Sequence, residues 1–236
     1  KDSANLEPAL TTKHGVLSLV TPKPRESVSR SPRRKDELDP VLTDVFTCRS
    51  KPHTFALEIF AGIARISSAL CKSGITTFPV DICMFPDHDV LHKHIEYRIS
   101  NWIRAGRISF VWIGMPCTTF SRARKHDGLG PGPLRDSMHL WGLNCLNRRD
   151  RKKLGIGNAL FHFTMRILRL CEHFAIPYAL ENPRTSMLWE MKPLRTFCDQ
   201  FYPHWCHFDF CQFGERWKKP TSILYNFLDL SPVNKQ

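Results

Sequence analysis

Beyond Phe55 the chain alternates between two patterns of apolar residues, short continuous runs and stripes at helical spacing. The runs at 76–80 and 108–113 predict buried strands, and a third strand is predicted to end at 179–183. Helical stripes lie between these runs. The alternation is typical of an α/β fold, with a doubly wound, mostly parallel sheet and helices on both faces.

Three stripes predict three helices. The first ends at Gly74, the second at Gly106 and the third before Pro177. We interpret all three as core faces. Their apolar residues are Ile63, Ile66, Ala69 and Leu70 in the first, Ile95, Ile99, Trp102 and Ile103 in the second, and Leu160, Phe163, Ile167, Leu170 and Phe174 in the third.

A cysteine follows the central predicted strand directly. The run at 108–113 continues as Gly114-Met115-Pro116-Cys117, so the thiol is expected at the carboxyl edge of the sheet, where α/β proteins bind ligands. A thiolate there is a candidate nucleophile. On this tetrapeptide alone, a small buried apolar residue at a strand end is an equally good interpretation.

Two other predicted strand ends carry polar residues. The segment Glu58-Ile59-Phe60-Ala61-Gly62 predicts a strand that turns through a glycine into a helix, and Asp81 follows 19 positions after Gly62. Acidic residues at about this distance meet ribose hydroxyls in nucleotide-binding α/β folds. Glu181 ends the later strand and places a carboxylate at the same edge.

In this order the segments resemble the DNA (cytosine-5) methyltransferase family, over about 55–227. The matching motifs are Glu58-Ile59-Phe60-Ala61-Gly62, Gly114-Met115-Pro116-Cys117, Asn158-Ala159-Leu160-Phe161 at a helix start, Glu181-Asn182, and the late motif from Gln212-Phe213-Gly214 to Lys218-Lys219-Pro220-Thr221. The resemblance implies a Rossmann-like sheet of seven strands. It also implies S-adenosylmethionine as cofactor and methyl transfer to C5 of cytosine in DNA.

The resemblance also assigns roles to residues. Cys117 is the covalent nucleophile toward C6 of the base, and Glu181 is the acid at N3 if burial raises its pKa. A target in a duplex has to swing out of the stack. The expected cofactor contacts are Phe60, Gly62, Asp81, Asp89 and Asn158, and the expected DNA contacts are Ser121, Arg122, Arg124, Lys219 and Thr221. For Phe60 a plain core position stays open, and for Asp89 a solvated loop position.

The sequence departs from the family at three places. Lys219-Pro220-Thr221 replaces an Arg-x-Arg pair that steadies the acid and the base, and a lysine is a point charge rather than a planar fork. Pro183 stands where a valine is common. No recognition domain follows the late motif. Two alternatives therefore stay open: RNA cytosine-5 methylation, and an inactive nucleic-acid-binding domain with a methyltransferase-like fold.

The charge balance favours an anionic partner, and nucleic acid is the usual one. The formal net charge is +12. Between Arg122 and Lys153 nine Lys and Arg stand against three Asp and Glu, a net of +6. Gly128 and Pro131 mark the first half of this stretch as loop. We expect a mobile basic loop that closes on phosphates, with a solvated surface loop as the alternative.

The remaining sequence features concern disulfides, metal binding and cellular location. Nine unevenly spaced cysteines do not indicate a disulfide framework in a chain of this length. No metal site is expected, although several potential ligands occur close together in sequence: Cys198, His204, Cys206, His207 and Cys211. No signal peptide or membrane-spanning run is recognised. An intracellular protein is expected, nuclear if the source is eukaryotic.

The chain divides into a tail and one domain. Residues 1–46 are rich in Ser, Pro, Lys and Arg and predict a flexible basic tail or linker, with a cluster at 29–35 that is either a nucleic-acid or targeting signal or simply solvated. Residues 47–236 form the predicted catalytic domain. The first residue is Lys1 rather than methionine, so we expect a fragment of a longer chain.

Overall fold

A computed structural model describes residues 54–124, 130–227, 230 and 233. Its six strands form one sheet in the order β2-β1-β3-β4-β6-β5. Strands β1 to β4 pair in parallel, and β6 runs antiparallel to both of its neighbours. The strands are β1 (Phe55–Ile59), β2 (Thr77–Val80), β3 (Ile108–Gly114), β4 (Tyr178–Pro183), β5 (His204–Asp209) and β6 (Pro220–Tyr225).

This sheet confirms the predicted doubly wound, mostly parallel, Rossmann-like α/β class. The predicted seven strands are wrong for the described residues, which contain six. Between β2 and β3 the chain forms only a short 3-10 turn, Pro86–His88, and one helix. Strand β2 therefore stays at the sheet edge, which suits Pro79, because a proline lacks the N–H that an inner strand has to donate.

Helices cover both faces of the sheet. On one face α2 (Lys93–Arg104), α3 (Arg148–His173) and α4 (Lys192–Phe201) pack on β-strand residues such as Leu57 and Leu180, and together they form the main core. The other face carries α1 (Arg65–Lys72). It also carries a smaller cluster of Ala179, Cys206, Ile223 and Tyr225.

The first helix forms where expected but buries a different face. Ile63 lies before the helix and is 77% exposed, so its predicted core role is wrong. The buried residues of α1 are Ser67 and Cys71. The reason is the buried carboxylate of Glu58, which accepts hydrogen bonds from the backbone N–H and the hydroxyl of Ser67. This contact draws the small polar face of α1 onto the sheet.

Glu58 also serves as a cap. Helix α1 has no side-chain cap and no acidic residue in its first turn. The carboxylate of the neighbouring strand takes an N–H at the helix start instead, where negative charge is favoured. Burial nevertheless raises the pKa of Glu58, and the hydrogen bonds from Ser67 oppose that rise.

Of the helices predicted from the two later stripes, α2 ends where expected and α3 begins earlier than expected. Helix α2 is confirmed, and it ends before Gly106, whose φ of 64° is left-handed. Helix α3 begins at Arg148, where the side chain of Asn147 accepts a hydrogen bond from the Asp150 N–H. The predicted helix start at Asn158 is therefore wrong. So is the prediction of a loop for the second half of the basic stretch, which forms the first turns of α3.

The predictions for residues 1–46 lie outside the described residues. Among the residues that are described, no helix combines the length and the apolar character needed to span a bilayer.

Candidate active site

The three predicted strand ends meet at one edge of the sheet. The chain winds from β1 outward to β2 and then returns to β3, so the crevice at the carboxyl ends of β1 and β3 is the switch point where such sheets bind ligands. Gly114 at the end of β3 pairs in register with Glu181 on β4. A Cβ at Gly114 would lie 3.3 Å from the Phe60 carbonyl oxygen, so a glycine lets the two strand ends approach closely.

The nucleophile loop, residues 115–121, is held by side-chain and backbone contacts. The fully buried amide of Asn182 donates to the Met115 carbonyl at 2.6 Å. The Phe120 N–H donates to the Cys117 carbonyl at 2.8 Å, and the Met187 N–H donates to the Phe120 carbonyl at 2.9 Å. The backbone on both sides of Cys117 is thus fixed to β4 and to the turn that follows it.

Cys117 itself is half-buried, and its electrostatic surroundings are mixed. Burial raises the pKa of its thiol, the charge of Lys219 lowers it and the charge of Glu181 raises it. The protonated thiol therefore dominates at neutral pH, and Lys219 is the group that favours the thiolate. Glu181 lies opposite Gly114 in the sheet, and Gly114 is three residues before Cys117 in sequence.

Glu181 and Lys219 form a pair beside the thiol. The Lys219 ammonium lies 3.3 Å from a Glu181 carboxylate oxygen and 4.7 Å from the centre of the Phe210 ring. Lys219, which stands where the resemblance predicts an arginine, therefore still contacts the predicted acid. The proton-donor role of Glu181 stays a prediction.

Thr221 does not face the crevice. Its side chain is fully buried, and its hydroxyl donates to the Lys219 carbonyl at 3.1 Å. The hydroxyl is thus shielded and already bonded in this structure, and the DNA contact of Thr221 stays a prediction. Thr221 also fixes the backbone of Lys219.

The cofactor loop, residues 60–64, follows β1. Phe60, Gly62 and Ala64 all have left-handed φ angles, of 60°, 55° and 55°. The Gly62 N–H donates to one carboxylate oxygen of Asp81 at 2.9 Å, and the Cys83 N–H donates to the other at 2.7 Å. The predicted spacing thus brings Gly62 and Asp81 together, while each carboxylate oxygen keeps lone-pair capacity for a hydroxyl.

The other predicted cofactor residues form contacts or hydrogen bonds with other residues of the protein. Phe60 is half-buried and meets Phe163 edge to face at 6.2 Å. A carboxylate oxygen of Asp89 accepts the Leu91 N–H at 2.9 Å in the turn before α2. Asn158 accepts from Arg135 and donates to the Trp141 carbonyl, so both ends of its amide bind the β3–α3 connection. The cofactor roles of these residues stay predictions.

The residues just after the nucleophile loop also contact protein groups. Arg122 pairs with Glu190, and the Arg124 Nε–H donates to the Gly132 carbonyl at 2.8 Å. The Ser121 hydroxyl accepts the Ala123 N–H at 3.2 Å. Their DNA contacts stay predictions, and residues 125–129 of the same stretch lie outside the described residues.

Sequence reasoning misses two residues that hold the nucleophile loop. The motifs identify Asn182 only as the neighbour of the acid, yet it anchors Met115. The charge pattern places Arg135 in a basic loop, yet it is 1% exposed and bonds to Thr119. One local signal exists, since Gly157 inside a helix indicates a close approach of another backbone or side chain.

The cysteine and histidine residues near β5 do not gather around a common point. Over the described ranges, no group of three or more His, Cys, Asp or Glu side chains is placed to hold a metal ion. His207 instead shares a 2.8 Å hydrogen bond with the Ser222 hydroxyl.

Comparison with known proteins gives a structural likeness. No family model and no curated protein matches the sequence. Among solved structures, the Schizosaccharomyces pombe Dnmt2 methyltransferase is 14% identical with a TM-score of 0.43, and it aligns over 75% of this chain and 52% of its own. The Entamoeba histolytica methyltransferase EhMeth is 10% identical with a TM-score of 0.43, over 77% and 55%.

The chain thus spans about half the length of these two structures. At such identities and TM-scores the likeness decides neither activity nor substrate. Both questions rest on the site itself.

Proposed function

We propose that this protein transfers a methyl group from S-adenosylmethionine to C5 of cytosine in DNA through a covalent bond to Cys117. One observation carries the proposal. A half-buried thiol follows β3 three residues after Gly114, and Gly114 is paired with the Glu181 of a Glu–Lys pair, at the switch point of a doubly wound sheet. A thiol and a carboxylate are the two groups that addition to C6 and protonation at N3 require.

The residues fit the implied cofactor. The Gly62–Asp81 contact brings a carboxylate beside the cofactor loop, and Asp81 has lone pairs left for ribose hydroxyls. Phe60 borders the same crevice from β1. When bound, S-adenosylmethionine supplies an electrophilic methyl group; the protein's part is to hold it and to activate the base.

The chain's own residues activate the base in sequence. Cys117 loses its proton to solvent, helped by the charge of Lys219, and the thiolate adds to C6. Glu181 takes up a proton from solvent when the base binds and gives it to N3, where the electron pair displaced from the ring is taken up. C5 thereby becomes nucleophilic. After methylation, water takes the C5 proton, the C5–C6 double bond reforms, the sulfur leaves and N3 returns its proton to Glu181.

A direct assay tests this reaction. The protein is incubated with labelled S-adenosylmethionine and DNA, and the DNA is digested to nucleosides. We expect labelled 5-methylcytosine with the wild type and none with Cys117→Ala. No label above that control on DNA or RNA would overturn the proposal, and label on RNA alone would correct the substrate.

Surface charge supports a nucleic-acid substrate. Five basic side chains occupy the first turns of α3, where the helix dipole disfavours positive charge. At the late motif, Phe213 and Trp217 are 49% and 57% exposed beside basic residues, a combination suited to stacking on bases. The five α3 residues are Arg148, Arg149, Arg151, Lys152 and Lys153.

Replacing these five residues with glutamine should weaken binding to all DNA sequences alike. It should also flatten the dependence of affinity on salt, by about 0.9 in log-log slope for each phosphate that the protein no longer neutralises. Cofactor binding and the melting temperature should not fall. An unchanged salt slope would show that the cluster is only solvated, and the tail at 30–35 would be the next candidate.

One observation favours the alternative of an inactive domain. Burial raises the pKa of Cys117, so little thiolate exists at neutral pH unless Lys219 or the bound base offsets the burial. An inactive nucleic-acid-binding domain would bind DNA and yield no covalent adduct in any condition. The trapping experiment that closes the Discussion separates the two.

A further inference from the structure

Arg135 is a buried cation whose contacts converge on the nucleophile loop. Its side chain is 1% exposed. The Nε–H and one terminal N–H donate to the Thr119 carbonyl at 3.0 Å and to the Thr119 hydroxyl at 3.1 Å. The other terminal nitrogen donates to the Leu140 carbonyl at 2.6 Å and to the Asn158 side chain at 2.8 Å. The guanidinium carbon lies 3.9 Å from the centre of the Phe120 ring.

These acceptors are all neutral. Within the described ranges Arg135 forms no ion pair, and burial lowers its pKa to about 10, which still leaves it charged at neutral pH. A buried charge is costly, and an apolar residue of similar size often serves stability as well. The contacts of Arg135 indicate what its guanidinium holds in place.

Arg135 does not act on the thiol through its charge. The charged groups that shift the pKa of Cys117 are Lys219 and Glu181. What Arg135 holds is the backbone carbonyl and hydroxyl of Thr119 and the ring of Phe120, two and three positions after the thiol. Since Phe120 closes the turn onto the Cys117 carbonyl, fixing Thr119 and Phe120 fixes the thiol.

Helix α3 packs closely against the same threonine, Thr119, at Gly157. A Cβ at Gly157 would lie 2.3 Å from the Thr119 hydroxyl oxygen and 3.0 Å from its methyl carbon, so only a glycine leaves Thr119 in place. Gly155, on the same helix, would meet nothing within 4 Å. Thr119 is therefore packed between the guanidinium of Arg135 and the backbone of α3.

We propose that Arg135 is a positioning residue, which with Gly157 clamps Thr119 and so holds the Cys117 thiol at the distance and angle needed to attack the base. The inference rests on the proposed role of Cys117 as nucleophile. It predicts that loosening the clamp slows covalent attack without removing any group that touches the substrate.

The test uses three variants of the full chain and a matched control. Arg135→Met removes the donors and keeps much of the volume, and Arg135→Lys keeps the charge without the fork. Gly157→Ala displaces Thr119 with Arg135 intact, and it keeps the test decisive if the Arg135 variants fold poorly. Gly155→Ala is the control, the same substitution two positions away in open space.

Two readouts are taken on each variant. The first is the rate of covalent adduct formation with DNA that contains 5-fluorocytosine; for the clamp variants we expect a fall of about 10- to 100-fold, with Arg135→Lys the mildest. The second is alkylation of Cys117 by iodoacetamide against pH, resolved by peptide mass spectrometry. A loosened loop exposes the thiol and relieves the burial that raises its pKa, so the alkylation curve should move to lower pH.

The clamp variants should thus form the covalent adduct more slowly and yet be alkylated more readily at Cys117. A loss of folded protein does not explain this combination if the buried Cys171 is not alkylated. Cys171 is fully buried in the main core and reports unfolding in the same digest. Equal adduct rates and Cys117 curves for Gly157→Ala and Gly155→Ala would overturn the proposal. So would alkylation of Cys171 in parallel with Cys117. If the wild type itself forms no adduct, the proposed function fails, and the alkylation curves alone decide the role of Arg135.

Discussion

The nucleophile loop and the cofactor loop border one crevice but are held in different ways. Residues 115–121 are tied by side chains from two other parts of the chain, Asn182 and Arg135, and by the Met187 backbone. Residues 60–64 are tied by backbone hydrogen bonds to β2 and by a single carboxylate, Asp81.

The two loops also differ in solvent exposure and in backbone geometry, and both differences indicate that residues 115–121 are the more firmly held. Phe120 in the nucleophile loop is fully buried, whereas Ile63 in the cofactor loop is largely exposed. Phe60 and Ala64 have left-handed φ angles, which cost about 1 kcal/mol or more each and are retained mostly at functional sites. The proposed function accounts for this difference, because covalent attack requires a fixed thiol, while a loop that receives a soluble cofactor has to admit and release it.

The largest effect is expected from the anchor of the nucleophile loop. Asn182→Ala leaves the Met115 carbonyl without its buried donor, which should cost about 2 kcal/mol of unfolding free energy. The thiol is displaced as well, so methyl transfer should fall by roughly 100-fold. Urea unfolding and the nucleoside assay measure the two effects.

Asn226→Ala is the matched control, because Asn226 accepts the Tyr178 N–H at the opposite end of β4. It should lose similar stability and keep its activity. Equal activity loss in both variants would mean that the fold, not the loop, is what matters.

A smaller effect is expected from the charges around the thiol. Lys219 lowers the pKa of Cys117 and Glu181 raises it, so Lys219→Met should move the alkylation curve to higher pH and Glu181→Gln should move it to lower pH. At neutral pH the alkylation rate should fall in the first and rise in the second, each several-fold. Peptide-resolved alkylation against pH measures both curves.

Lys218→Met serves as the control, since Lys218 pairs with Asp209 at 3.2 Å and is absent from the groups that shift Cys117. Shifts of the same sign in the Lys219 and Glu181 variants would contradict this account of the thiol.

The smallest effect is expected at the cofactor loop. Asp81→Ala removes the acceptor of the Gly62 and Cys83 N–H groups, but water reaches this site and replaces part of the loss. Binding of S-adenosylmethionine should weaken by about threefold, or roughly 0.7 kcal/mol, in titration calorimetry. Asp150→Ala, which removes a carboxylate at the start of α3, should bind the cofactor normally. Normal binding by Asp81→Ala would remove the cofactor loop from the proposal.

The strand ends are predictable because the sequence signal for each of them lies in neighbouring residues. A run of apolar residues predicts the strand, and the next residues in sequence lie at its carboxyl end, so Cys117, Asp81 and Glu181 can be assigned to one edge. The start of α3 also has a local signal, the Asn147–Asp150 capping contact, which the run of basic residues obscures.

Long-range contacts account for what the sequence does not predict. The buried face of α1 is decided by Glu58 on β1, so a stripe of apolar residues within the helix is misleading. The clamp on Thr119 joins residues 16 positions apart through an arginine, a residue type expected at the surface. Thr221 is assigned by its place in a motif, and only the pairing of β6 with β4 and β5 buries it.

The central claim is that Cys117 bonds covalently to cytosine, and trapping tests it most directly. DNA containing 5-fluorocytosine holds the adduct, because fluorine cannot leave C5 as a proton does. We predict a stable protein–DNA complex that requires S-adenosylmethionine, maps to the peptide of Cys117 and is missing in Cys117→Ala. No complex with the wild type, or a complex that persists in Cys117→Ala, would contradict the account.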